Sequence, residues 1–245
     1  MGYSGRDVEV VQLGLDYSIV TACDSCGGIG LKQNDVVRIS PSVVGRFTTR
    51  VALMEVLSIN AIPKTISITI SNEPTPTGDM LIKGIKEELE AVGLESIPMA
   101  ISTEKNIKTS QTALGITVIG ICKNENIRVN KSKPGDFVYC LGIPKVGDEV
   151  RSLDDVEIVQ ISHIKDLLQL KGVNDILPVG SKGILQEIKM LRRNVDCKFI
   201  YEAVEDIDIN KSAGPSTCLI FTCSQHTELS KLKLKPIKLG MLVNL

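Results

Sequence analysis

The chain has 245 residues, 43% of them hydrophobic and 23% charged, with a formal net charge of −1. That length accommodates one large domain or two modest ones with a full core, and the near-neutral charge gives no electrostatic reason to expect nucleic acid or an anionic membrane as partner. No apolar run reaches the roughly 18 to 20 residues that span a bilayer, and no basic segment followed by an apolar one opens the chain, so the expected location is the cytoplasm.

In chain order, the small-residue arm Gly2 to Arg6 and Asp7 precede a short alternating strand, Val8-Glu-Val-Val-Gln-Leu13. A second strand over 18–23 delivers Asp24 into a small-residue turn, Ser25-Cys-Gly-Gly-Ile-Gly30. Such glycines let other groups come close, so an acid beside them is placed to hold a divalent cation against a phosphate. The spacing of Val43, Phe47, Val51, Met54 and Leu57 predicts a helix over 42–60. Glu55 then lies at the edge of its buried stripe, and Arg46 and Arg50, four apart, share one side. A half-buried strand is expected over 65–70, a turn-rich link over 72–78 and a helix over 79–92 that stops at Gly93. Two further strands, 97–101 and 112–122, flank a polar loop that brings Glu104 to a strand end.

Lys131-Ser-Lys-Pro-Gly-Asp136, charged and with a Pro-Gly turn, marks the expected domain boundary, giving domains 1–133 and 134–245. Beyond it, strands are expected at 137–141, 175–179, 197–201, 217–223 and 237–243, with helices over 162–170 and after Gly183. The pattern reads as α+β, two lobes of mostly antiparallel sheet backed by helices. Gly180-Ser-Lys-Gly183 stands at a strand-to-helix junction, where free N–H groups and Lys182 suit an anion, although such a turn taken alone is more often structural, with Ser181 as helix cap. It is not a Walker A loop.

Seven Cys residues lie mostly in apolar runs and read as reduced, packed thiols. Cys23 and Cys26 have CxxC spacing, but with no second CxxC and no nearby His the packed reading outweighs a zinc or redox one. His163 and His226 read as surface or capping residues. Four acids fall at similar addresses: Asp7 before a strand, Asp24 after one, Glu55 on a helix edge, and Glu104 after a strand. Converging carboxylates stay ionised around a cation. On composition alone four unrelated surface acids among 29 is the favoured reading, with Asp24 the exception because its Gly-rich surroundings are hard to explain as mere surface.

The order of these segments resembles the aminoimidazole-ribonucleotide-synthetase-related superfamily, which includes thiamine-monophosphate kinase. The matching stretches are Asp24 after the second strand, Ala52-Leu-Met-Glu55 through Ile62-Pro63, Glu104 with Gln111 to Gly120, Pro134-Gly-Asp136, and Ser216 to Thr222. The resemblance implies a homodimer joined through its N-terminal sheet, and ATP held by Mg²⁺ on Asp7, Asp24, Glu55 and Glu104. Asp24 and Glu104 would be the catalytic groups. Gly5, Arg46, Arg50 and Asn106 would bind nucleotide, and Gly180, Ser181, Lys182 and Gly183 a nucleoside-like acceptor. The departures are Glu for Asp at two ligand positions, a single Asp after Arg6, Ser102-Thr103 for Gly-Gly, and Lys182 where the thiamine-phosphate enzyme has an acid. Lys182 argues against the cationic thiamine phosphate as acceptor, and Arg46, Arg50, Glu104 to Asn106 and Pro178 to Gly183 most resemble the α-ribazole kinase branch, which phosphorylates a 5′-hydroxyl in cobalamin lower-base salvage. The alternatives are another ATP-using activity of the superfamily, thiamine-monophosphate-kinase-like or amide-activating, and a non-catalytic nucleotide-binding protein.

Overall fold

The structure, a computed structural model, describes residues 2–150, 152, 154–193, 195–202 and 207–245. The chain divides into two compact units. The first comprises Val8–Val56 and Ala61–Asn124; the second gathers Met1–Asp7, Leu57–Asn60 and Glu125–Leu245.

In the first unit β1 (Val8–Leu13), β2 (Tyr17–Gly27), β5 (Ile62–Ile70), β6 (Met99–Thr103) and β7 (Ala113–Lys123) form a sheet in the order β1-β2-β7-β5-β6. All its pairs are antiparallel except β5 with β6. Two short strands, β3 (Ile29–Gly30) and β4 (Val37–Arg38), pair beside it. Alternation is strict along β7, whose even-numbered residues from Leu114 to Cys122 are buried, as a sheet covered on one face requires. The cover is α1 (Pro41–Ser58) and α2 (Asp79–Ala91), which bury Leu53, Met54, Leu81, Ile85 and Leu89. The helices approach very closely: a Cβ built at Gly84 would lie 1.8 Å from the Ser42 carbonyl oxygen, and one at Gly45 2.3 Å from that of Leu81.

The second unit carries an all-antiparallel sheet, β10-β12-β8-β11-β9, from β8 (Phe137–Gly142), β9 (Val173–Pro178), β10 (Cys197–Tyr201), β11 (Cys218–Cys223) and β12 (Ile237–Asn244). Helices α3 (Ile161–Gln169) and α4 (Gly183–Arg192) complete it. Its core runs from Val138 and Cys140 through Leu177, Ile184 and Ile188 to Cys218, Ile220 and Leu239. Each large aliphatic side chain so buried contributes about 1.5–3 kcal/mol.

The expected elements are present with shifted ends. The main difference is β2, which continues through the small-residue turn to Gly27 because β7 pairs with it over all eleven residues. The chain therefore passes through β3 and β4 before α1 begins. Residues 1–7 and 125–133, placed by the sequence in the first domain, belong by contact to the second unit. Arg6 Nη2 donates to the Ile176 carbonyl at 2.6 Å and Arg128 Nη1 to that of Val173 at 2.9 Å. Among the described residues no helix is long and apolar enough to cross a membrane.

Candidate functional site

In the first unit the polar residues concentrate where β2 and β5 end and β7 begins. Asp24 sits on the face of β2 that carries the buried Val20 and Ala22, and it is half-buried. Cys26 follows on the same face; burial and then the Asp24 charge push its thiol up to about 11, against a hydrogen bond with Thr48. Cys23 points to the opposite face. Both are free thiols on opposite faces of one strand; Cys26 is half-buried, while Cys23 is exposed, which departs from the expected packed thiol. Glu55 is buried on α1, with 8% exposure. Asp24 and Glu55 both have interaction partners within the protein.

Glu104 leaves the end of β6 and folds back on its own loop, where its Oε1 accepts the backbone N–H groups of Asn106 (2.7 Å) and Ile107 (3.0 Å). The Asn106 N–H above all, then that of Ile107, holds the carboxyl below its usual range. The expected nucleotide contact Asn106 thus supplies its backbone N–H to this turn. Among the described residues no group of three or more His, Cys, Asp or Glu could hold a metal ion. Of the four expected acids, Asp24, Glu55 and Glu104 belong to the first unit, where Glu104 is turned to its own loop, and Asp7 belongs to the second.

Several residues that the sequence reading passed over organise this end of the sheet. Asp35, 7% exposed, accepts the Thr112 N–H (2.8 Å), the Thr112 hydroxyl (2.8 Å) and the Lys32 N–H (2.7 Å). Lys32 Nζ bridges Glu73 Oε2 (2.6 Å) and the Thr109 carbonyl (3.0 Å), while Glu73 also accepts the Thr77 hydroxyl. Asn72, fully buried, donates to Thr109 Oγ1 and the Gln111 carbonyl, both at 2.7 Å, and accepts the Ala113 N–H at 2.9 Å. Asn72-Glu-Pro directly after a β-branched strand was the visible signal, since a buried Asn at a strand end replaces missing ladder partners.

The glycines of the turn divide into two kinds. Gly30 is demanded by the protein itself, because a Cβ there would lie 2.3 Å from Thr112 Oγ1 and 2.7 Å from Asp35 Oδ2. Around Gly27, by contrast, nothing among the described residues comes within 4 Å of a built Cβ. Arg46 and Arg50 share one helix face as expected, and both converge on Glu88 of α2. Arg50 Nε and Nη2 donate to its two oxygens at 2.7 and 3.1 Å, and Arg46 Nε donates at 3.1 Å. Arg50 is 2% exposed, so its fork serves the helix pair and not the surface.

In the second unit Ser181 and Lys182 are exposed at the junction before α4. Ser181 is not the cap; Lys182 takes that position without a side-chain bond, and the Leu185 N–H donates to the Ile209 carbonyl at 2.9 Å. Gly183, at φ +76°, is required by the Lys211 carbonyl, 2.7 Å from a built Cβ, whereas Gly180 is open. Glu187 of α4 accepts the Gly180 N–H and feels the charges of Asp7, Arg6 and Lys182. Burial first, then Asp7, pushes its carboxyl up to about 7. Gly5, expected at the nucleotide, lies against Met190 of α4. His163 is a capping residue, its Nδ1 accepting the Gln160 N–H at 3.0 Å.

No protein-family model matches the chain, and no curated protein sequence matches it. Solved structures do. Thiamine-monophosphate kinase from Aquifex aeolicus matches with a TM-score of 0.69 at 13% identity, over 97% of this chain and 89% of that one. A ThiL protein complexed with AMPPCP and TMP matches with a TM-score of 0.67 at 14% identity, over 98% and 85%. PurL from T. maritima complexed with ADP matches with a TM-score of 0.71 at 16% identity, over 100% of this chain and 43% of that one. The chain spans less than half of PurL and most of the kinases, and it has the fold that these proteins share.

Proposed function

We propose that the chain is an ATP- and Mg²⁺-dependent small-molecule kinase of the cytoplasm, acting as a homodimer, with the 5′-hydroxyl of α-ribazole as acceptor. The observation that carries the reading is the fold, matched over most of the length of thiamine-monophosphate kinases, one of them complexed with AMPPCP and TMP. PurL complexed with ADP has the same fold, which supports a nucleotide as the shared ligand. The exposed Lys182 on the acceptor side favours a neutral or anionic acceptor over a cationic one.

Asp24 and Glu55, the expected ligands on β2 and α1, would hold Mg²⁺, which commonly takes one or two carboxylates and completes its shell with water and phosphate oxygens. Held by these carboxylates, Mg²⁺ would supply neutralisation of charge on the phosphates. The chain's own residues do the positioning. Gly27 leaves backbone open to close approach, and Asp35 and Asn72 fix the loops on either side of Lys32. Phosphoryl transfer asks mainly for alignment and charge neutralisation, so no nucleophilic side chain is needed.

A mass-spectrometric screen of nucleosides and vitamin precursors with Mg·ATP tests the reading. The expected result is a gain of one phosphate on α-ribazole, reduced about 10- to 100-fold in Asp24→Asn, the scale of effects seen when a metal site is weakened. Turnover with an amide and none with alcohols would overturn it in favour of amide activation. Stabilisation by Mg·ATP in a thermal-shift titration, with no turnover on any acceptor, would leave a nucleotide-binding protein.

A further inference from the structure

Three connections of the first unit meet on one ammonium group. Lys32, between β3 and β4, donates from Nζ to Glu73 Oε2 at 2.6 Å, in the connection from β5 to α2, and to the Thr109 carbonyl at 3.0 Å, in the connection from β6 to β7. Thr109 is one foot of a loop whose other foot, Glu104, donates its N–H to the carbonyls of Ile70 and Asn72, both at 3.0 Å. Between the feet stands a tip, residues 105–108, in which Lys105 and Lys108 are exposed. The Glu104 carboxylate stiffens that tip by accepting the Asn106 and Ile107 N–H groups. The residues that follow Thr109 run beside the open backbone at Gly27. Gly27 pairs with Ala113, the Gly28 N–H donates to the Thr112 carbonyl at 2.9 Å, and Gln111 Nε2 lies 3.5 Å from a Cβ built at Gly28.

Stability alone does not account for the ion pair. Asp35 and Asn72 already stitch the same loops together from buried positions. Lys32 and Glu73 keep 15% and 35% of their side-chain exposure, and pairs open to water contribute little. What the ammonium adds is a fixed relation between the foot of the tip and the connections on either side of it. Binding loops depend on such a frame, and two exposed lysines on a stiff tip present charge suited to phosphate oxygens.

We propose that Lys32 is a positioning residue for the nucleotide: gripping Glu73 and the Thr109 carbonyl, it sets the 105–108 tip so that Lys105 and Lys108 reach the phosphates of a nucleoside triphosphate beside Gly27. This rests on the nucleotide part of the reading above and not on the identity of the acceptor. Lys32 itself, committed to Glu73, does not touch the ligand.

Calorimetric titration of the full chain with Mg·AMPPCP, in the absence of any acceptor, tests the assignment. Lys32→Met should raise the Kd about 10-fold, the scale of one charge-assisted contact, and lower the Tm by no more than about 4 °C. Lys32→Arg, which keeps the charge and can still reach both acceptors, regains most of the affinity. Lys105→Ala with Lys108→Ala should raise the Kd at least as much. Adding Lys32→Met to that pair should then change it by less than about 2-fold, because nothing is left to position. Glu73→Gln, which loosens the clasp from the other side, also weakens binding. Full additivity of Lys32→Met with the tip pair, or tighter binding in Glu73→Gln, would make Lys32 a direct phosphate ligand and overturn the proposal. So would wild-type affinity in Lys32→Met, or loss of its fold. A wild-type chain that binds no Mg·AMPPCP brings down the nucleotide reading itself, whereas equal binding by the wild type and Lys32→Met removes only the positioning role.

Discussion

Asp35 shows how one buried carboxylate fixes two loops. Burial works against its charged form, but the Thr112 N–H and hydroxyl, the Lys32 N–H and the Arg38 charge outweigh it and hold the carboxyl below its usual range. Asp35→Asn keeps the shape and turns an acceptor into a donor facing donors, so it should cost about 2–3 kcal/mol. The sign with pH follows from the lowered value. The stabilisation is complete above the unfolded value of about 4 and is lost as pH falls through the folded one. Urea unfolding at pH 7 and at pH 3 should therefore show a gap between the two proteins that narrows in acid; an equal gap at both would remove the carboxylate as its source. The same scale shows what the sequence withholds about Glu104. Its place after a strand was readable, but nothing in Ser102-Thr-Glu-Lys-Asn106 announces that its oxygen closes on the N–H groups of Asn106 and Ile107.

Helices α1 and α2 form the element whose chemistry is least typical. Ala is favoured over Gly in a helix by about 1 kcal/mol, yet Gly84→Ala sets a methyl 1.8 Å from the Ser42 carbonyl. Forcing the helices apart costs about 1–3 kcal/mol or more, so the net change should be a loss, while the exposed Lys86→Ala stays within about 0.5 kcal/mol of the parent. Denaturant midpoints decide; a stabilised Gly84→Ala would mean that the helices do not touch there. Glu88 is the second test. It neutralises part of two guanidinium charges, one almost fully buried, and Glu88→Gln should cost about 3–5 kcal/mol. Replacing the buried pair together, Glu88→Leu with Arg50→Met, should recover much of that, because Arg46 can turn to solvent. A single variant with a loss below about 1 kcal/mol would sink the assignment. The i,i+4 spacing of Arg46 and Arg50 gave their common face correctly. Their partner, 38 residues on from Arg50, carries no signal in a single sequence, which is why the shared face was readable and what it meets was not.

At the scale of the molecule, element types were readable because apolar periodicity is strong, whereas membership of the units was not. Arg6 stands next to β1 in sequence but bonds to Ile176, 170 positions away. The same period of two that identifies the strands also exposes what the first sheet leaves uncovered. Opposite its helices, Val11, Leu13, Tyr17 and Ile62 are exposed and Ile19, Ile119 and Ile121 half-exposed. The register sets Ile121 between Ile19 and Ile62, and Ile119 opposite Thr21, so these side chains form a continuous apolar face. Faces of this kind on soluble proteins are contact surfaces, and a second copy related by a two-fold axis presents the same face in return. The proposed homodimer therefore predicts that the wild type sediments as a dimer with a Tm that rises with protein concentration. Ile119→Lys, which puts a charge in the middle of that face, should give a monomer with a concentration-independent Tm, while Lys86→Glu on the helix side leaves the dimer intact. A wild-type chain that sediments as a monomer at tens of micromolar, the range in which weak contacts of standard size begin to associate, would refute a dimer built on this sheet.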